Sequence, residues 1–416
     1  MNKIDYVVTS TTKYIEQMTK AQRKKYGQFF TSKETAVFMA ELFDLQSASG
    51  AVSILDPGAG SGILSTALIE RMLDVAAITK IKLVCYESDT NILELLRSNM
   101  DWVCAHASKP IEYKIVADNY ILSQMADYNH MLWESPNPPK YDYVIGNPPY
   151  MKIPKDAPEA LAMPDVCYGA PNLYFIFASM SLFNLKSDGE MVYIIPRSWT
   201  SGAYFKKFRQ KFLDEGALEH IHLFVSRDKV FEKESVLQET IIIKVKKAKN
   251  KPQNVTITTT QSNADFSQKT VFHAPYDTVV NGKDQYVYLV TNAKEVETLE
   301  RLNRLPNTLP SIGLKMKTGL TVDFRNREAL RDHAEATAVP LFYSQHIKNG
   351  KVEFPIGKEH EYLVTEQNGL LQKNSNYLFV KRFTAKEEHR RLQCGIYLAR
   401  KHPEYREIST QNKINF

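Results

Sequence analysis

One ten-residue stretch leaves few folds open to this chain. Tyr141-Asp142-Tyr143-Val144-Ile145-Gly146-Asn147-Pro148-Pro149-Tyr150 begins as an apolar run of buried-strand character and stops on two successive prolines. Proline fixes φ near about −65° and has no N–H to give to a sheet, so the chain must leave this strand as a stiff loop. In an open α/β sheet, ligand chemistry sits just beyond the carboxyl ends of such strands.

Three earlier strands are expected on the same pattern. Val52-Ser53-Ile54-Leu55 runs into Asp56-Pro57-Gly58-Ala59-Gly60-Ser61-Gly62, a glycine-rich turn that opens a helix at Ile63. Glycines there remove side chains where a ligand must approach the backbone. Ile81 to Cys85 ends at Tyr86-Glu87-Ser88-Asp89, which places a carboxylate for ribose hydroxyls, and Tyr113 to Ala117 ends at Asp118-Asn119, where a carboxylate can accept from an adenine amino group. Four successive strands thus end on polar residues suited to one nucleoside-like ligand and one reaction. The Asp56-Pro57 lead and the glycine spacing count against a dinucleotide site.

The loop after the fourth strand suits an amine. The Asn147 side-chain oxygen and the Pro148 carbonyl are both acceptors, and together they can hold both hydrogens of an exocyclic amino group. Such an amine is a poor nucleophile because its lone pair is delocalised into the ring. Two aimed acceptors draw it toward tetrahedral geometry and stabilise the charge that develops during attack. Tyr150 is expected to offer a flat face for the ring.

The motifs and their order resemble those of S-adenosylmethionine-dependent N6-adenine DNA methyltransferases, and in particular the gamma group of type II modification methylases. Gly27-Gln28-Phe29-Phe30-Thr31 resembles that group's upstream cofactor motif, Asp56 to Gly62 its glycine turn and Asn147-Pro148-Pro149-Tyr150 its catalytic motif. The resemblance implies the class I methyltransferase fold, a mixed seven-stranded sheet with helices on both faces, followed by an α+β DNA-recognition domain. It implies that Thr31, Asp56, Gly58 and Gly60 surround the methionine end of S-adenosylmethionine, that Glu87 binds the ribose and that Asp118 meets the cofactor adenine, with Asn147 beside the cofactor too. Asn147, Pro148 and Tyr150 carry over as catalytic, and Phe231, in the turn before the last strand of the sheet, as the ring that stacks on the target base. Duplex DNA is the implied substrate, and a separate cognate restriction endonuclease the implied partner.

Past the catalytic loop, residues 151–170 are rich in Pro, Asp and Lys and predict a mobile loop, and Asn172 to Leu185 predicts an apolar core helix. Fifth, sixth and seventh strands are expected at Gly189–Pro196, Leu218–Val225 and Glu239–Val245. The basic, polar run Lys246 to Pro252 predicts a boundary, with a catalytic domain over 1–248 and a basic recognition domain over 249–416. Charge supports two modules: residues 1–240 hold 25 Lys and Arg against 29 Asp and Glu, whereas 241–416 hold 28 against 18. A basic module beside a mildly acidic one suggests a polyanion handled by the second. Lys315, Lys317, Arg325 and Arg327, in a glycine-containing segment, are the candidate phosphate contacts.

Other features narrow the class. With 416 residues, 43% of them hydrophobic, and no apolar run of membrane-spanning length, a soluble cytoplasmic chain acting as a monomer is expected. Cys85, Cys104, Cys167 and Cys394 have no paired spacing, so neither a metal site nor a disulfide framework is expected. Two rival functions remain at this level. One is methylation of another planar nitrogen, a glutamine amide in a translation release factor or an RNA base. The other is a DNA-binding protein with an inactive cofactor site. Labelled cofactor offered with each acceptor separates them.

Overall fold

A computed structural model describes residues 2–17, 31–129, 140–224, 240–264, 266–384 and 388–416. The chain divides into two compact units, Met1–Asn303 and Arg304–Phe416. The first is built on nine strands: β1 (Gly50–Pro57), β2 (Ile78–Tyr86), β3 (Ile111–Val116), β4 (Tyr141–Gly146), β5 (Leu185–Pro196), β6 (Ala217–Phe224), β7 (Thr240–Lys246), β8 (Asn254–Thr260) and β9 (Thr270–Pro275). Their order is β3-β2-β1-β4-β5-β7-β6-β8-β9. Strands β1 to β5 pair in parallel; β7 lies antiparallel between β5 and β6.

Chain order reverses between β1 and β4, which are hydrogen-bonded neighbours with Ile54 opposite Tyr143 and Leu55 opposite Val144. Ligands of open α/β sheets bind at this reversal, outside the carboxyl ends of the strands. The glycine turn leaves β1 and the Asn-Pro-Pro-Tyr loop leaves β4. Two motifs far apart in sequence are therefore side by side because of strand order alone.

The helices cover the sheet: α1 (Lys3–Gln17), α2 (Lys33–Glu41), α3 (Ile63–Leu73), α4 (Leu93–Ala105), α5 (Tyr120–Tyr128), α6 (Pro158–Ala162), α7 (Leu173–Asn184) and α8 (Lys206–Glu215). α1 buries Ile4, Val7 and Thr11, one stripe at helical spacing. α2 starts where the Ser32 side chain accepts from the Thr35 amide, and buries Ala36, Phe38, Met39 and Ala40. The α7 sequence is apolar on every side, and nearly all of it is buried, as befits a helix in the middle of a core. Within 151–170, expected as a mobile loop, α6 is followed by the buried residues Met163 and Val166.

The domain boundary expected at 248/249 is corrected to Asn303/Arg304. β8, just past the basic run, pairs in parallel with β6, and β9 pairs antiparallel with β8, so the sheet takes in two more strands before it ends. Val255, Ile257 and Ala274 are buried in the same core as the first seven strands. The second unit is built of short strands in two five-stranded sheets, with cores around Phe342, Phe379, Tyr397 and Ile408 and around Leu330, Leu341, Tyr343 and Leu363. No described helix is long and apolar enough to cross a membrane.

Candidate active site

A cavity of about 360 Å³ opens at the carboxyl ends of β1, β2, β3 and β4, within the usual size range of a small-molecule site. Its wall brings together Gly58, Gly60, Glu87, Asp118, Asn147 and Pro148 of the residues singled out in the sequence. Gly58 and Gly60 have φ of +143° and +55°, the second in the left-handed region, and a Cβ built on Gly60 would meet no atom within 4 Å. The turn thus needs glycine for its backbone and leaves open space beside it.

Glu87 ends β2 and faces the turn. Its Oε2 accepts from the Gly60 amide at 2.8 Å and its Oε1 from the Asp89 amide at 2.8 Å. The carboxylate braces the glycine turn, and each oxygen keeps a second lone pair for a ligand hydroxyl. Burial pushes its pKa up, against the lowering effect of these amides. Asp118 is exposed at the end of β3, where its Oδ1 accepts from the Asn119 amide at 2.7 Å, and Asn119 in turn caps α5.

Asp56 and Thr31 stand behind the wall. Asp56 is fully buried; Oδ2 accepts from the Ser65 hydroxyl at 2.6 Å, while Oδ1 has no hydrogen-bond partner among the described residues. Burial, with the nearby Glu87 charge adding to it, pushes the Asp56 carboxyl up to about 7 despite the Ser65 bond. Thr31 is 8% exposed, and its hydroxyl oxygen accepts from Asn147 Nδ2 at 3.2 Å.

The loop after β4 is fixed from below. Gly146 faces the buried Tyr193 ring so closely that a Cβ would come within 2.9 Å of it, so the residue before Asn147 must be glycine. The Tyr150 hydroxyl lies 2.7 Å from Asn147 Oδ1 and 2.9 Å from the Ile194 carbonyl of β5, two acceptors for its proton. The Tyr150 ring is 7% exposed and stands edge-on to Tyr174, so the flat face expected of it is covered and the hydroxyl is what reaches Asn147. Phe231 and the segment Gly27 to Phe30 lie outside the described residues.

The wall includes residues the sequence did not single out: Tyr86, Asp89, Asn91, Ile92, Tyr120 and Phe177 among them. Asp89 follows Glu87 by two and could have been proposed from that spacing. Phe177 carries no signal, because it sits within an apolar helix whose other aromatic side chains are core. Among the described residues no group of three or more His, Cys, Asp or Glu stands together to hold a metal.

The donor set fits S-adenosylmethionine: carboxylates at the ends of β2 and β3 for hydroxyl and amino groups, and a side-chain-free turn for the backbone-hugging part of the ligand. Comparison with known proteins agrees. Residues 73–231 match the family described as Eco57I restriction-modification methylase. The type II methyltransferase M.PstI of Providencia stuartii is 35% identical over 95% of this chain and 78% of its own length. M.BsuBI of Bacillus subtilis is 33% identical over 90% and 74%. Among solved structures, the Type IIL restriction-modification enzyme MmeI in complex with DNA shares the fold, with a TM-score of 0.53 at 10% identity over 99% of this chain and 60% of that one. With relatives this similar over three quarters of their length, and with the glycine turn and the Asn-Pro-Pro-Tyr loop on adjacent strands, the chain belongs to the S-adenosylmethionine-dependent type II methyltransferases of restriction-modification systems.

Proposed function

We propose that this chain methylates N6 of an adenine rotated out of duplex DNA, and that it is the modification half of a system whose endonuclease is a separate protein. The observation that carries this reading is the shared wall: Asn147, Pro148 and Pro149 line the same cavity as Gly58, Gly60, Glu87 and Asp118. An amine acceptor and a nucleoside-binding set therefore meet at one place. S-adenosylmethionine, when bound, supplies an electrophilic methyl group on a sulfonium.

The chain's own residues do the rest. Gly58, Gly60, Glu87 and Asp118 hold the cofactor, with the Asp56 carboxyl behind the turn. The Asn147 Oδ1 and the Pro148 carbonyl accept from the target amino group and stabilise the positive charge it develops on attack. Phe177 and Pro149 make the wall apolar where water must be kept out. Rotating the base out of its stack is required because the amine is otherwise paired and out of reach. Phe231 is assigned to stacking on the extruded base. The second unit is the recognition domain, its Lys315, Lys317, Arg325 and Arg327 gripping phosphates, and one chain suffices for one modification.

The test is direct. Labelled cofactor is offered with duplex DNA, with RNA and with a release factor, and DNA from cells expressing the chain is read by nanopore sequencing. N6-methyladenine at one short sequence is expected; label in the other acceptors alone would discard the reading. Asn147→Ala should keep cofactor affinity and lose about 10²–10³ in methyl transfer; near-normal turnover would remove Asn147 from its role.

A further inference from the structure

We propose that Thr31 is a positioning residue for Asn147, and that its hydroxyl and that of Tyr150 together lock the plane of the Asn147 side-chain amide. The inference rests on the role proposed for Asn147 as acceptor of the substrate amine. A primary amide has two ends of nearly equal size, one accepting and one donating, and its terminal torsion is broad. A rotation of that torsion would turn an acceptor away from the substrate or replace it with a donor. What fixes the plane is therefore part of the machinery, although neither Thr31 nor Tyr150 is among the residues that line the cavity.

Both ends of the Asn147 amide are held. Nδ2 donates to Thr31 Oγ1 at 3.2 Å, and Oδ1 accepts from the Tyr150 hydroxyl at 2.7 Å. The two hydroxyls come from different rigid elements. Tyr150 is within 2.9 Å of the Ile194 carbonyl in β5, a central strand of the sheet. Thr31 directly precedes the Ser32 cap of α2, whose buried face packs into the core. The Arg71 guanidinium bonds to the Ala40 carbonyl and, at 3.0 Å, to that of Phe43, pinning the far end of the same helix. Rotating the amide breaks a contact at each end.

The resemblance that places Thr31 on the cofactor makes a different claim, and Thr31 is not among the residues that line the cavity. The two claims separate in a pair of variants. Thr31→Val keeps the shape and removes the hydroxyl; Thr31→Ser keeps the hydroxyl. S-adenosylmethionine affinity is measured by calorimetry, and the single-turnover rate of methyl transfer to duplex DNA is measured at saturating cofactor. Thr31→Val is expected to lose about 10–100-fold in that rate with cofactor Kd within about twofold of wild type, and Thr31→Ser to recover most of the loss. Tyr150→Phe, which keeps the ring, should give the same signature, and the double variant should lose much less than the product of the two single losses. This second arm decides the matter if Thr31→Val fails to fold. An unchanged rate in Thr31→Val, or a raised cofactor Kd with a normal rate at saturation, overturns the assignment. Failure of the parent reading shows separately, as a wild type that binds cofactor and leaves DNA adenine unmodified, and it would take this assignment with it.

Discussion

At the residue scale, the glycine turn is backed by a buried carboxyl group that the fold does not fully satisfy. Asp56 is 0% exposed with one oxygen lacking a partner among the described residues, and burial pushes its pKa up to about 7 from an ordinary 3.8. The sign follows from proton counting. Between those two values the folded chain holds a proton that the unfolded chain has released, so stability falls as pH rises through this window and the loss is fully established above about 7. Asp56→Asn, which mimics the protonated acid, should therefore gain on the wild type by roughly 2 kcal/mol between about pH 5 and about pH 7. Urea unfolding of both proteins across that range checks it. Parallel curves would mean that Asp56 is already ionised in the folded protein. The sequence shows why an acid stands here, beside a glycine turn, but not that Ser65, nine residues on, takes one oxygen and leaves the other alone. That depends on how α3 sits against β1, a tertiary fact.

At the element scale, what was legible in the sequence is what local chemistry dictates. The glycines, the double proline and the apolar runs place β1 to β7 to within a few residues, because central strands such as β4 and β7 are buried along most of their length and turns punctuate the strand ends. The end of the sheet was not legible. Asn254 to Thr260 alternates threonine with apolar residues, a pattern of a half-buried strand, and nothing in it says whether it starts a new sheet or extends the old one. Nor was the buried face of α1 legible: of Tyr14, Ile15 and Met18, the apolar residues that the sequence offers as its face, the first two are only half-buried and Met18 lies outside the described residues, while the buried stripe is Ile4, Val7 and Thr11. The same scale explains one unusual cation in the sheet. Lys244 of β7 is 9% exposed and reaches Glu190 of β5 at 2.9 Å and Glu219 of β6 at 3.2 Å, while Glu190 also accepts from the Asp44 amide at 2.9 Å. The lysine ties the antiparallel strand to both neighbours. Lys244→Met leaves Glu190 buried without its counter-charge and should cost about 3–5 kcal/mol in chemical unfolding, with Glu190→Gln added to it recovering part of the loss. A loss below about 1 kcal/mol would show that water reaches the pair.

At the scale of the whole molecule, the corrected boundary leaves the charge asymmetry in place and sharpens it. Residues 1–303 hold 34 Lys and Arg against 35 Asp and Glu, whereas 304–416 hold 19 against 12, so the excess positive charge belongs to the second unit alone. Within it, Lys315, Lys317, Arg325 and Arg327 are exposed, and none pairs with a carboxylate among the described residues. Their segment is nonetheless held: the Lys317 amide donates to the Phe416 carbonyl at 2.7 Å and the Phe416 amide donates back at 2.8 Å, which fastens it to the C-terminal strand. Unpaired cations on a fixed backbone suit a polyanion, because little order has to be created on binding. If all four meet phosphates, replacing them together by alanine should lower the slope of log affinity against log salt by roughly 4 × 0.9, and weaken binding by a similar factor on any duplex sequence. Cofactor affinity should stay at the wild-type value, since the cavity lies wholly in the first unit. Titration of the variant and the wild type with duplex DNA at several salt concentrations measures the slope. A slope that does not move would put the phosphate grip elsewhere on the second unit, with Lys381, Arg382, Arg390 and Arg391 as the next cations to replace.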